Sequence, residues 1–237
     1  MQRLDCFDKK GTKNMKRIPV FIHSLFRTGS TYVWLKFRKI NEYYCYYEPF
    51  HQVLPRLTVE ISNIYDEENS RLFMRHPPLD KRYFFEYEKF LSEGARGVPY
   101  FKKSFIADEF CYVGDGQGLK RYIDFLISGA GNKIPVFQFN RSALRVKWFK
   151  EQYPESFNLY ILRNPRDNWA SCMSFLREGN SFFVTMDLLL SSINLKDYHF
   201  NKLSKIVPLF EYHDKDFKKE LNCYTPVSYT HLTLPTN

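Results

Sequence analysis

The chain has no apolar run approaching the roughly 20 residues that a bilayer-spanning helix needs. Its amino terminus is polar and charged, without the apolar segment of a secretory signal. A cytoplasmic protein is therefore expected rather than an exported or membrane-embedded one. Cysteine is sparse: five in 237 residues, at Cys6, Cys45, Cys111, Cys172 and Cys223, with no CxxC pair. That scatter argues against a zinc site or a disulfide framework and for free thiols in a reducing compartment. No internal repeat or low-complexity block interrupts the sequence, and 237 residues suit one α/β domain rather than two.

What is present is a globular composition, 44% hydrophobic and 26% charged, with 23 Phe and 17 Tyr to build a core. Lys and Arg number 35 against 26 Asp and Glu, a net charge of +9 that favours anionic partners. The positive residues are spread along the chain and no nucleic-acid module is recognisable, so nucleic acid is not an expected partner. Peripheral contact with a membrane surface stays open.

Short apolar runs alternate with helix-like stretches. Residues 1–17 are basic and irregular and read as an arm, within which Met15 is a second potential start. The runs 18–23, 43–47, 134–139 and 157–162 have the length and composition of buried strands. Helices are expected over 32–39, near 81–91, over 120–128 and over 141–152, while 51–110 is otherwise mixed. Another helix opens at 163–167, where Asn164 can cap and Pro165 suits the first position. Strands alternating with helices imply βαβ units, hence a three-layer fold of P-loop type with a central, mostly parallel sheet flanked by helices.

The segment 24–31, Ser-Leu-Phe-Arg-Thr-Gly-Ser-Thr, joins the first strand to a helix start. Unpaired N–H groups and the helix dipole make such a junction an anion cradle. Laid on the Walker A pattern G-x-x-x-x-G-K-[ST], Ser24 takes the first glycine, Gly29 the second, Ser30 the lysine and Thr31 the final Ser/Thr. The lysine that clamps nucleoside triphosphates is missing, and a cation stands earlier, at Arg27. A second anchor follows the strand at 157–162: Arg163 offers a planar charged fork, and Ser171, eight residues on, a hydroxyl two helical turns away. Arg166 and Asp167 lie in the first turn, where Asp167 complements the dipole.

With both motifs in view, the chain resembles the sulfotransferases that use 3′-phosphoadenosine 5′-phosphosulfate (PAPS), in particular their bacterial and carbohydrate-type branch. Phe26-Arg-Thr-Gly-Ser-Thr31 is similar to the family's 5′-phosphosulfate loop, and 162–171 to its 3′-phosphate motif. Tyr47-Glu-Pro-Phe-His51 resembles the Glu-Pro segment of glycan sulfotransferases, and 137–142 a less diagnostic family segment. The resemblance implies sulfuryl transfer from PAPS to a hydroxyl or amine of an acceptor glycan or small molecule. It implies that Arg27 holds the sulfonate, and that Thr28, Gly29, Ser30 and Thr31 bind the 5′-phosphate. Arg163 and Ser171 would select the 3′-phosphate, and no metal would be needed. The acceptor's proton requires a base, for which Glu48 and His51 compete; Glu48 could instead serve in an ion pair. His23, His76, His199 and His213 read as structural or surface residues. Asn140 and Arg141 are placed either at the acceptor pocket or, for Asn140, at a helix cap.

The rival readings are a P-loop nucleotide kinase or other ATP-using transferase, which lacks its lysine here, and a basic nucleic-acid-binding protein. Residues 226–237 carry no Lys, Arg, Asp or Glu, and 227–236 resemble the translation of a transposase mosaic end with its adapter. The expectation is a sulfotransferase domain over 18–225, incomplete at its carboxyl end, followed by an artefactual tail.

Overall fold

Four short runs rich in β-branched and aromatic residues pair into one sheet. The computed structural model describes residues 17–71, 79–91, 96–106, 116–179 and 182–184. The strands are β1 (Val20–His23), β2 (Tyr43–Tyr47), β3 (Ile134–Phe139) and β4 (Phe157–Tyr160), in the order β2-β3-β1-β4. Every pairing is parallel, with Phe21 opposite both Phe137 and Asn158, and Tyr46 opposite Phe137. The helices are α1 (Ser30–Arg38), α2 (Val59–Arg71), α3 (Gln117–Gly129), α4 (Val146–Gln152) and α5 (Pro165–Arg177).

Alternation along the strands sorts the core into two faces. On one, Tyr46, Phe137 and Phe21 form a row across three strands, with neighbouring ring centroids 5.2 Å apart. Phe149 of α4 packs on Phe21 at 4.8 Å, and the Tyr46 hydroxyl donates to the Leu126 carbonyl of α3 at 2.7 Å. On the other face, the fully buried Trp34 of α1 donates its indole N–H to the Cys45 carbonyl at 3.1 Å and packs on Tyr47. Helices thus cover both faces, the three-layer arrangement expected.

Some expectations give way. Residues 157–162 read as a buried strand, yet β4 is the edge of the described sheet, and Phe157, Tyr160 and Leu162 are exposed. An apolar run does not encode whether a strand lies inside a sheet or at its rim. The helix expected over 141–152 begins only at Val146, because Asn140 and Arg141 are turned inward to bond other groups. A 3₁₀ turn, Phe85–Phe90, stands where a helix was expected near 81–91. Helix α2, with its run of acidic and polar residues, was not anticipated. Cys45 and Cys172 are buried thiols outside any disulfide. The arm before residue 17, the tail at 226–237, the remaining cysteines, and His76, His199 and His213 lie outside the described residues.

Replacing Trp34 with Ala should lower the unfolding free energy by about 3–5 kcal/mol, as for large aromatic deletions in packed cores. Trp34→Phe should cost less, since it keeps a smaller aromatic ring in place while losing one hydrogen bond; urea unfolding of both variants measures the difference.

Candidate functional site

Parallel pairing brings the carboxyl ends of all four strands to one side, and α1 and α5 both start there. After β1 the chain crosses over β3 towards β2, whereas after β3 it crosses over β1 to β4. The crevice between β1 and β3 is therefore a topological switch point, where open α/β sheets bind ligands.

The loop after β1 is built on that crevice. The Thr28 hydroxyl closes its turn by donating to the Leu25 carbonyl at 2.9 Å. Gly29 caps α1 at φ 91°, a left-handed conformation that a side chain would strain, and a β-carbon there would meet nothing within 4 Å. The helix N-terminus is thus approachable at its backbone. Thr31 is half-buried, but Ser30, which stands in the Walker lysine's place, is buried, with its hydroxyl 2.9 Å from Asn140 Oδ1. Its hydroxyl is engaged inside the protein, by Asn140 and Gln138.

The second motif closes on the same loop. Asn164 caps α5, its side chain accepting from the Arg166 N–H at 2.9 Å, and Pro165 occupies the first turn, as the sequence suggested. Arg163 Nη1 donates to the Arg27 carbonyl at 2.8 Å, and Arg27 Nε donates to Ser171 Oγ at 3.3 Å. The Arg27 guanidinium lies over the rings of Phe175 (4.3 Å) and Phe183 (4.9 Å). Phe26 is buried against Cys172, Phe175 and Phe183, so apolar packing pins the loop to α5. Arg163 and Ser171 thus both close on Arg27, one at its carbonyl and the other at its guanidinium, in the loop that leads into α1. Such a place suits a ligand carrying two anionic groups.

The end of β2 supplies a carboxylate. Glu48 is buried; its Oε1 accepts from Asn140 Nδ2 at 2.6 Å and its Oε2 from Arg141 Nη1 at 3.2 Å. The ion pair anticipated as an alternative for Glu48 is formed, with Arg141, which also donates to Gln52 Oε1 at 2.7 Å. Burial raises the Glu48 carboxyl above its ordinary range, while Arg141, Tyr47 and Asn140 act the other way. His51 is buried too; its Nδ1 accepts from the Val53 N–H at 3.2 Å and its Nε2 lies 3.1 Å from the Tyr65 hydroxyl. A ring accepting at Nδ1 carries its proton at Nε2, and burial holds it neutral by pushing its pKa well below the usual value. Both nitrogens of His51 are therefore engaged inside the core.

Arg27 (φ 61°) and Glu48 (φ 37°) are, with Tyr100 (φ 63°), the non-glycine residues of positive φ among those described. Each such conformation costs on the order of 1 kcal/mol or more and persists where its surroundings enforce it. Two of the three fall in this site.

Asn140, expected at the acceptor pocket or a helix cap, lies in the site bonded to Glu48, and Gln138 belongs there too and was not read as such. The signal was there: Gln138 is the polar residue in an otherwise apolar strand, and it is fully buried. His23 lies in the core as expected, its Nε2 2.9 Å from Asn158 Oδ1 and its Nδ1 2.8 Å from Ser142 Oγ. That Ser-His-Asn order resembles a hydrolytic triad, and Ser142 is fully buried. Among the described residues no three His, Cys, Asp or Glu side chains gather as metal ligands.

No family model, curated protein or solved structure matches the chain.

Two outcomes follow from these buried charges. Desolvation lowers the His23 pKa to about 4, so the folded ring stays neutral while the unfolded ring protonates below about 6.5. Its stabilising contribution is therefore complete above that pH and falls between pH 6.5 and 4. From this ring alone, unfolding free energy should drop by about 2 kcal/mol between pH 7 and pH 5. His23→Gln should flatten that part of the urea-unfolding pH profile. Separately, Arg141→Leu leaves Glu48 buried and unpaired and should destabilise by about 3–5 kcal/mol, whereas adding Glu48→Leu should recover much of the loss; a double-mutant cycle reads the coupling.

Proposed function

We propose that this chain is a PAPS-dependent sulfotransferase domain, transferring a sulfuryl group to a hydroxyl or amine of an acceptor, with a glycan the favoured acceptor class. The observation that supports it most is the meeting of Arg27, Arg163 and Ser171 where α1 and α5 begin. One nucleotide with phosphates on both its 3′ and 5′ positions can engage both motifs there.

In this reading the backbone at Gly29 to Thr31 receives the 5′-phosphate and the Thr31 hydroxyl supports it; Ser30, turned inward, contributes its N–H rather than its side chain. Arg27 neutralises charge on the sulfonate and on the departing phosphate oxygen. Arg163 and Ser171 grip the 3′-phosphate and so discriminate against ATP. Glu48 is the base: the acceptor oxygen forms a bond to sulfur, the bond from sulfur to the 5′-phosphate oxygen breaks, the electron pair leaves on that oxygen, and the acceptor's proton passes to Glu48. A carboxyl raised by burial is the stronger base for that step. Positioning and charge stabilisation supply most of the rate, as in phosphoryl transfer. A kinase reading is weaker, since the place of the Walker lysine holds a serine committed to Asn140.

Calorimetric titration with 3′,5′-diphosphoadenosine and with ATP plus magnesium separates the readings. The bisphosphate should bind the more tightly, and Arg163→Ala should weaken it by roughly 10- to 100-fold, the worth of a charged hydrogen bond. Equal or tighter binding of ATP, or an affinity indifferent to Arg163→Ala, would count against the proposal.

A further inference from the structure

We propose that Asn140 is a positioning residue that ties the loop before α1 to the Glu48 carboxylate, so that one side chain sets the place of both. The proposal rests on the sulfotransferase reading only for the meaning of Glu48 as a base; the linkage itself is a matter of geometry.

Asn140 is buried at the end of β3, in the switch-point crevice. Its Oδ1 faces the Ser24 hydroxyl (3.0 Å), the Ser30 hydroxyl (2.9 Å) and Gln138 Nε2 (2.7 Å). Its Nδ2 donates to Glu48 Oε1 at 2.6 Å. Ser30, where the loop enters α1, donates to Asn140 Oδ1, while the Ser24 hydroxyl at the other end has the Phe139 carbonyl as its nearer acceptor, at 2.6 Å. The oxygen of one amide thus holds the loop at Ser30 while the nitrogen of the same amide holds the carboxylate. Reversing the amide would set its oxygen against a carboxylate oxygen and its N–H₂ against the Gln138 N–H₂, which fixes its orientation chemically.

Gln138 strengthens the hub, donating from Nε2 to both Ser30 Oγ (2.9 Å) and Asn140 Oδ1. Arg141, the next residue, takes the second oxygen of Glu48. Consecutive residues after β3 therefore hold both carboxylate oxygens; Arg141 meets the loop by packing its guanidinium over the Phe26 ring at 5.0 Å, whereas Asn140 meets it by hydrogen bonds. In a buried, low-dielectric site such bonds strengthen one another, and a change at one end is felt at the other. A residue that merely filled space would not transmit it.

The test is nuclear magnetic resonance of the full chain, following the Glu48 side-chain carboxyl carbon, assigned by its disappearance in Glu48→Gln. Ser30→Ala should move this resonance, although Ser30 does not touch Glu48. In an Asn140→Ala background the same Ser30→Ala change should leave it unmoved. Should Asn140→Ala fail to fold, Asn140→Ser, which is too short to reach Glu48, takes its place with the same expected loss. A Ser30→Ala displacement that persists undiminished without Asn140, or that is absent with it, overturns the proposal. Titrating the same samples with 3′,5′-diphosphoadenosine reports separately on the enzyme reading: lack of binding would sink the donor assignment and leave the linkage result standing.

Discussion

The arrangement at the carboxyl end of the sheet depends on β1 lying between β3 and β4, parallel to both. Parallel pairing forces the three carboxyl ends to one side, so the loop after β1, the turn after β3 and the start of α5 have to meet. The row of Tyr46, Phe137 and Phe21 ties β2, β3 and β1 together on one face, and Trp34 packs on β2 from the other. Reversing one strand would send Arg163 to the far end of the sheet from Arg27, and no single ligand would touch both.

Beneath the loop the molecule accepts a costly arrangement. Glu48 and Arg141 are both buried, and an ion pair removed from water gains little over well-packed apolar groups. Burial is tolerated because the partners converge on the carboxylate from Asn140, Arg141 and Tyr47. The left-handed backbone at Arg27 and Glu48 adds strain in the same small region. A buried ion pair and left-handed backbone thus coincide at the switch point, although a second buried pair, Arg38 with Glu86, lies away from it. His23, Ser142 and Asn158 form a second chain of bonds beside the switch point, buried at His23 and Ser142.

The fold was largely legible, and for local reasons. Short apolar runs, an Asn-Pro helix start and the alternation of element types act over a few residues, and each element so read appears within a few positions of its expected place. The exceptions share a cause. The late start of α4 follows from Asn140 and Arg141 bonding Glu48, about ninety residues away in sequence. The exposure of β4 is decided by what lies beyond it in the sheet, which its own apolar composition does not record. The inward turn of Ser30 depends on Gln138 and Asn140 having arrived from another strand.

By itself the amino-acid sequence determined the class of the molecule: alternating strands and helices, one glycine-bearing turn at a helix start, and an arginine and a serine spaced two turns apart. Those are properties of neighbours, set by backbone geometry and side-chain periodicity. The tertiary structure alone decided that Arg27, Arg163 and Ser171 touch, that His51 has both nitrogens engaged, and that one asparagine lies between the loop and the carboxylate. These depend on which residues from distant segments come within about 3 Å in a hydrogen-bonding direction. A linear pattern does not carry that information until the sheet has chosen its order.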